Sequence, residues 1–116
     1  MPTPEPLRRR LIEPPRFTPL DGTQLKPPLR CKRVIYSGRV QGVGFRYTAH
    51  GLAAGHPIAG YVRNLPNGDV ELVTEGEDSA VEAFLSVVAQ RMAGYISETT
   101  VQDAAPTGQR GFRIRN

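Results

Sequence analysis

The chain has 116 residues, of which 39% are hydrophobic, and carries 15 Lys/Arg against 11 Asp/Glu. This length suits one domain with a single core, and a single cysteine excludes an internal disulfide and fits a reducing compartment. The sequence has no apolar run of membrane-spanning length and no apolar signal segment in its first thirty residues, so we expect a cytoplasmic protein without a membrane segment.

The positive charge is concentrated at the start of the chain. Residues 1–33 contain eight Lys/Arg and three Asp/Glu, whereas residues 34–116 contain seven and eight. Eight of the eleven prolines also fall within residues 1–30. Because proline-rich segments favour extended, solvated backbone, we predict that residues 1–30 form a disordered extension and that residues 31–116 form the folded domain. The nearly neutral body argues against nucleic acid as a partner, beyond weak contact through the basic extension.

A strand followed by a helix opens the predicted domain. Arg33–Val40 is rich in β-branched residues and predicts the first strand. A helix is predicted from Phe45 to about Gly55, although Gly51 weakens it by about 1 kcal/mol relative to alanine. The apolar side of this helix would consist of Phe45, Ala49, Leu52 and Ala53.

A hairpin comes next in the sequence. Ile58–Asn64 and Asp69–Glu75 predict two strands, and the Leu65-Pro66-Asn67-Gly68 segment between them is typical of a tight turn. Ser79 and Glu82 have the spacing of a capping box, which predicts a helix that continues to about Arg91. Its buried side would consist of Val81, Phe84, Leu85 and Val88.

Two further strands, Tyr95–Gln102 and Gly111–Arg115, complete the predicted elements. The order is therefore β-α-β-β-α-β with a terminal strand. Two strand–helix–strand units that bracket a hairpin predict a ferredoxin-like α+β sandwich, with an antiparallel or mixed sheet of four to five strands and two helices on one face.

The junction between the first strand and the first helix carries the most informative motif. Gly42 and Gly44 stand one residue apart there, and such glycines allow successive backbone N–H groups to point towards one place. The helix start adds partial positive charge, and Arg46 adds a planar cation. This arrangement predicts a site for a tetrahedral oxyanion, best matched by a phosphoryl group.

Together with a second motif, this junction identifies a family. The segments Val40–Arg46, Gly60–Asn64 and Asn67–Val70 jointly resemble acylphosphatase, and the resemblance runs from about Lys32 to the end of the chain. It implies an enzyme that hydrolyses acyl phosphates to carboxylate and inorganic phosphate, without metal or cofactor. It also implies that Asn64 orients the attacking water and that the phosphate is held by Arg46 and the backbone of its loop. The implied phosphate-binding residues are Gln41, Gly42, Val43, Gly44, Phe45 and Arg46.

The chemistry of these residues is consistent with the resemblance. The neutral carboxamide of Asn64 can position water but cannot act as its base, so the substrate must already be activated. An acyl phosphate meets that condition because its leaving group is a stable carboxylate. We expect a small-molecule acyl phosphate as the substrate and a monomeric enzyme.

The sequence departs from the family pattern at a few positions. Tyr36 replaces an aliphatic residue, which we interpret as a packing change in the first strand. His56 and Pro57 stand where leucine and glycine are usual, and Gly51 is also unusual. We expect the changes in the helix to loosen the phosphate loop and to lower activity somewhat.

Two other functions remain open at this stage. The first is a catalytically weak or inactive anion-binding module, although pure binding would not need Asn64. The second is an RNA-binding domain of the same topology, which is disfavoured because the strand Asp69–Glu75 has no aromatic residue for base stacking.

Several other polar residues are interpreted as structural. We expect Tyr61 to pack, with the rim of the pocket as an alternative. We expect His56 to cap the last carbonyls of the first helix or to interact with its dipole. His50 and His56 are not expected to be catalytic, and nothing marks Cys31 as a nucleophile. The residues interpreted as surface charges are Arg39, Arg63, Arg113 and Arg115.

Overall fold

A computed structural model describes residues 29–116 of the chain. Residues 1–28 of the predicted extension lie outside the described residues. Its last two residues, Leu29 and Arg30, belong to a strand, so the prediction of disorder is wrong for them. The first strand begins at Leu29, four residues before the predicted start. In chain order the elements are β1 Leu29–Gly38, α1 Phe45–Ala53, β2 Ile58–Asn64, β3 Val70–Glu77, α2 Asp78–Arg91, β4 Ile96–Ala104 and β5 Phe112–Arg115.

These strands form one mixed sheet in the order β4-β1-β3-β2-β5. Strand β1 pairs antiparallel with both β3 and β4, β2 pairs antiparallel with β3, and β5 runs parallel to β2. Both helices pack against the sheet and against each other. The predicted ferredoxin-like α+β fold is therefore confirmed, with a sheet of five strands in residues 29–116.

The core lies between the two helices and one face of the sheet. Val34 of β1 lies opposite Leu72 of β3, and Leu72 lies opposite Val62 of β2. All three side chains are buried, and each such aliphatic side chain contributes about 1.5–3 kcal/mol through burial. The helices contribute Phe45, Ala49, Ala53, Val81, Phe84 and Val88, with Leu52 and Leu85 partly buried, so the predicted helix faces are confirmed.

The first strand ends earlier than the sequence predicts. Its last residue is Gly38, whereas Val40 is buried in the loop that follows. Gly38 has φ 125°, and a Cβ atom there would lie 2.5 Å from the carbonyl oxygen of Tyr95, beside an irregularity in the pairing with β4. The chain thus bends at a position that only glycine accommodates, and Val40 is apolar because it packs into the core.

The predicted capping box is wrong. Helix α2 begins at Asp78, its N-cap residue is Glu77, and no side chain donates or accepts a capping hydrogen bond there. Ser79 therefore lies inside the first turn, too late in the chain to cap it. The carboxylate of Asp78 in the first turn instead interacts favourably with the helix dipole.

Helix α1 ends at Ala53, two residues before the predicted end. The Nδ1 atom of His56 lies 3.0 Å from the carbonyl oxygen of Leu52. A protonated Nδ1 donates a hydrogen bond to one of the last helical carbonyls, which have no partner inside the helix. The predicted capping role of His56 is confirmed.

The opposite face of the sheet is polar. Glu71 is buried at its centre, where one carboxylate oxygen accepts from Nε of Arg33 at 2.5 Å and the other from Nε of Arg63 at 2.6 Å. Burial alone would raise the pKa of Glu71, but the hydrogen bonds and charges of the two arginines outweigh burial and lower it. Nearby, the guanidinium of Arg115 lies 4.3 Å from the ring centroid of Tyr61.

Candidate active site

The loop between β1 and α1 has an unusual backbone. Gly42 has φ 78° and Gly44 has φ 80°, both in the left-handed region, and Gly44 is the N-cap residue of α1. Outside the neighbouring residues of the chain, no atom lies within 4 Å of where a Cβ atom would stand at either glycine. The backbone conformation, rather than a lack of space, therefore favours glycine here. A loop of this kind can direct main-chain N–H groups into open space, as anion-binding nests do.

The N-terminus of α1 completes this loop. No side chain caps it, and its first turn contains no acidic residue. The first N–H groups of a helix have no partner within the helix and carry partial positive charge. An anion bound at this point would satisfy both the hydrogen bonds and the charge.

Arg46 is the second residue of α1 and is half-buried. Among the ion pairs of residues 29–116, none includes Arg46. A cation at a helix N-terminus is mildly unfavourable, because it faces the positive end of the helix dipole. The guanidinium therefore adds to the positive charge of the helix start, and no ion pair within residues 29–116 neutralises it.

Asn64 is the last residue of β2, where it lies opposite Val70 of β3. Its carboxamide makes no hydrogen bond with another described residue, so its donor and acceptor atoms are available to a ligand or to water. A cavity of about 220 Å³ joins this strand end to the loop before α1. The residues that line the cavity are Val40, Gly42, Gly44, Phe45, Arg46, Tyr47 and Asn64.

Two residues of the predicted phosphate loop do not line this cavity. Val43 is partly buried and packs against the core. The side chain of Gln41 points to the hairpin turn, where its Nε2 donates to the carbonyl oxygens of Leu65 and Asp69, at 2.8 Å in both cases. Any contact of Gln41 or Val43 with phosphate would therefore come from their backbone N–H groups, and that role stays a prediction.

Tyr47, which is not among the predicted site residues, lines the cavity although 76% of its surface is exposed. Exposed tyrosines need no special explanation in general. Tyr47, however, directly follows Arg46 and lies off the side of the helix that Phe45, Ala49 and Ala53 bury. An aromatic residue on the polar side of a helix, next to an anion-binding motif, was the available signal.

Two buried aromatic rings pack against each other at the start of α1, directly after the loop. The ring centroids of Tyr36 and Phe45 lie 4.9 Å apart, and both residues are buried. Burial raises the pKa of the Tyr36 phenol, which stays neutral. The interpretation of Tyr36 as a packing change is confirmed, and its contact with Phe45 fixes the start of the helix that carries Arg46.

The remaining candidate nucleophiles and bases lie elsewhere. His50 is exposed, His56 caps α1, and neither lines the cavity. Cys31 is buried, and burial together with the charge of Glu75 raises the pKa of its thiol, which disfavours the reactive thiolate. Tyr61 packs under Arg115 and is not at the cavity rim, so the alternative role for it is wrong.

Within residues 29–116 we find no group of three or more His, Cys, Asp and Glu side chains that could hold a metal ion. None of the helices in this part of the chain has the length and apolar character needed to cross a membrane.

Comparison with known proteins identifies the family to which this fold belongs. Residues 32–114 match the family model described as Acylphosphatase. The chain belongs to the acylphosphatase family. It is 42% identical over 88 residues to an acylphosphatase from Methanospirillum hungatei, covering 72% of this chain and 97% of the relative. An acylphosphatase from Methanothrix thermoacetophila is 41% identical over 87 residues, covering 72% and 94%.

A solved structure gives the same answer. The crystal structure of an acylphosphatase from Bacillus subtilis superposes with a TM-score of 0.68 at 32% identity, over 77% of this chain and 100% of that one. The matched region spans nearly the whole length of these relatives. The segment from β1 to β5 therefore corresponds to a complete acylphosphatase domain.

Proposed function

We propose that this chain is an enzyme that hydrolyses the carboxyl–phosphate anhydride of small acyl phosphates, giving a carboxylate and inorganic phosphate. The observation that carries the proposal is that Arg46 and Asn64, from separate motifs, line one cavity together with Gly42 and Gly44. Membership of the acylphosphatase family supports the reaction type. The residue roles rest on the geometry of the cavity and on the chemistry of the side chains.

The loop before α1 would hold the phosphoryl group. Backbone N–H groups of residues 41–46 and the start of α1 supply donors, and Arg46 supplies a guanidinium whose planar donors match phosphate oxygens. These groups would be in place before substrate arrives, since the left-handed backbone of Gly42 and Gly44 shapes the loop. Fixed donors stabilise the charge of the transition state without reorganisation.

Asn64 would place the attacking water. Its carboxamide can accept from and donate to a water molecule, but it does not take up a proton near neutral pH. Water attacks phosphorus, the bond between phosphorus and the acyl oxygen breaks, and the electron pair leaves with the carboxylate. The proton of the water passes to a phosphate oxygen and ends on the inorganic phosphate.

The same site would favour acyl phosphates over phosphate monoesters. A monoester would leave as an alkoxide and would need a general acid, and no carboxylate or histidine of the described part lines the cavity. A carboxylate leaves without such help. Placement and charge stabilisation, which this site offers, are the main contributions that phosphoryl transfer needs from a protein.

The setting of the enzyme is also proposed from its sequence. We expect a monomer, and the single cysteine fits the reducing environment of the cytoplasm. Size-exclusion chromatography with light scattering tests the monomer directly.

Hydrolysis of benzoyl phosphate in the presence of EDTA, with 4-nitrophenyl phosphate as the comparison, tests the reaction. We expect cleavage of benzoyl phosphate at the same rate with and without EDTA, and no cleavage of the monoester. Tight binding of inorganic phosphate without turnover of benzoyl phosphate would instead identify an anion-binding module. Loss of activity with EDTA would contradict a reaction that needs no metal.

A further inference from the structure

The side chain of Gln41 links the two halves of the candidate site. Its Nε2 donates to the carbonyl oxygens of Leu65 and Asp69, both at 2.8 Å. Gln41 belongs to the loop that precedes Arg46, and Leu65 directly follows Asn64. In residues 29–116 these are the hydrogen bonds that join that loop to the hairpin turn.

The two carbonyl groups that Gln41 contacts also close the turn itself. The N–H of Leu65 donates to the carbonyl of Asp69 at 2.8 Å, and the N–H of Gly68 donates to the carbonyl of Leu65 at 3.1 Å. A carbonyl oxygen has two lone pairs, so each accepts one bond from the turn and one from Gln41. The carboxamide of Gln41 therefore donates hydrogen bonds to both ends of the segment from Leu65 to Asp69, which directly follows Asn64.

We propose that Gln41 is a positioning residue, whose side chain sets the Asn64 carboxamide at the correct place relative to Arg46 and the loop amides. This inference rests on the proposed function. Gln41 is half-buried and its side chain does not line the cavity, so it acts through the turn and not on the substrate. Displacement of a positioning group by about 1 Å can lower a rate about a hundredfold.

Substitution of the Gln41 side chain should affect the placement of water and not the binding of phosphate. Every side-chain substitution at residue 41 other than proline keeps its backbone N–H and leaves Arg46 and the two glycines unchanged. Loss of the Gln41 carboxamide should therefore let the Asn64 side chain shift from its position, while the phosphate site keeps its donors. The expected signature is a fall in kcat with little change in the inhibition constant of inorganic phosphate.

The experiment begins with Gln41→Met, which has similar length and no hydrogen-bond donor. We expect kcat for benzoyl phosphate to fall about tenfold or more, with the phosphate inhibition constant within about twofold of the original value. Gln102→Met is the matched control, because it also removes a side-chain amide, but on the far face of the sheet. There the Oε1 atom of Gln102 accepts a hydrogen bond from Nη1 of Arg33 at 3.2 Å. That control should keep the original kcat.

A second pair of variants tests the need for a donor. Gln41→Glu keeps the shape but places an oxygen against two carbonyl oxygens, whereas Gln41→Lys supplies three donors on a longer chain. Both introduce a charge at the same half-buried position. We expect the lysine variant to be several-fold faster than the glutamate variant, and equal rates would overturn the proposal even if the methionine variant failed to fold.

Amide hydrogen exchange gives a readout that does not depend on turnover. The N–H groups of Leu65 and Gly68 should exchange faster in Gln41→Met than in the unmodified chain, while amides of the central strands keep their protection. A parallel rise in KM and in the phosphate inhibition constant, with kcat unchanged, would make Gln41 a phosphate contact and overturn the proposal. So would unchanged exchange at both amides.

The failure of this inference can be told apart from failure of the proposed function. If the unmodified chain does not hydrolyse benzoyl phosphate, the proposed function is wrong, and exchange at Leu65 and Gly68 still decides whether Gln41 holds the turn. If the unmodified chain is active and Gln41→Met retains full kcat, the enzyme stands and the positioning role is wrong.

Discussion

Two arginine environments in this domain differ in what surrounds the guanidinium. On the open face of the sheet, Arg63 shares the buried carboxylate of Glu71 with Arg33. At the other place, Arg46 stands at an uncapped helix start beside two left-handed glycines, and no ion pair of the described residues includes it. The presence or absence of a partner distinguishes a structural arginine from one that is available to a ligand.

The two environments also differ in their effect on folding. Glu71 is buried and both its oxygens accept charge-assisted hydrogen bonds, so the cluster stabilises the sheet. Arg46 lies against the positive end of the α1 dipole, which is mildly destabilising. A residue that weakens the fold slightly is expected where binding, rather than stability, is the requirement.

Exchange of each arginine for alanine should show the largest difference between the two environments. Arg46→Ala should lower kcat/KM for benzoyl phosphate about 10³-fold or more, because it removes the main positive side chain at the transition state. Its melting temperature should stay the same or rise slightly, since the cation opposed the helix dipole. Enzyme kinetics and thermal unfolding of the same preparation measure both.

Arg63→Ala is the matched control. It should lower the melting temperature, because Glu71 loses one of its two donors, and it should leave kcat/KM nearly unchanged. Inhibition by phosphate should vanish in Arg46→Ala and persist in Arg63→Ala. A comparable loss of activity in the two variants would show that the contrast between the environments has no functional meaning.

Asn64→Ala should separate water placement from phosphate binding within the same cavity. We expect kcat to fall about a hundredfold or more, because the water loses its orientation. The inhibition constant of phosphate should change little, since Arg46 and the loop amides remain. Steady-state kinetics with phosphate as a competitive inhibitor measures both quantities, and a parallel loss of phosphate affinity would show that Asn64 holds phosphate.

The sequence predicted the fold and the unusual backbone before α1 because their signals are local. The Leu65-Pro66-Asn67-Gly68 turn gives strong hairpin chemistry, and the apolar spacing from Phe45 to Ala53 marks one helix face. Gly42 and Gly44 indicate an unusual backbone by residue type and spacing alone. These features need no knowledge of distant contacts.

The parts that the sequence did not predict depend on partners far away in the chain. Gln41 resembles any other polar loop residue, and only the fold brings its carboxamide against the carbonyls of Leu65 and Asp69. Glu71 has no feature in the sequence that predicts burial, yet it is buried between two arginines. Ser79 matched a capping pattern, but the tertiary fold starts α2 at the preceding residue.

The pH dependence of stability should sharpen the description of the Glu71 environment. The folded-state pKa of Glu71 is lowered, so its contribution is fully present above the ordinary glutamate range and is lost as the pH falls through the folded-state pKa. Glu71→Gln should therefore lower the free energy of unfolding at neutral pH by about 1–3 kcal/mol, which urea titration measures as a lower midpoint. The difference between variant and unmodified chain should shrink as the pH falls below about 4.

Glu98→Gln provides the control for this titration, because Glu98 is an exposed glutamate on β4, at the edge of the sheet and not adjacent to β3. It should change the urea midpoint little at any pH. Some acid sensitivity should remain in Glu71→Gln, since the carboxylate of Glu75 accepts from Thr107 and Gly108 and its pKa is also lowered despite burial. A constant difference between Glu71→Gln and the unmodified chain from neutral pH to about pH 3 would contradict the charged cluster.

Substitution of Tyr47 should give the smallest effect. It tests whether the exposed tyrosine next to Arg46 contributes to substrate choice. Its ring lines the cavity and is 76% exposed, so Tyr47→Ala should leave the melting temperature unchanged. We expect KM for benzoyl phosphate to rise about two- to tenfold, because the ring can stack on an aromatic acyl group, and KM for acetyl phosphate to change less. Tyr47→Phe should restore the original KM, since the contact uses the ring and not the hydroxyl. An equal change for both substrates would show that Tyr47 affects the phosphoryl end, together with Arg46, instead of the acyl group.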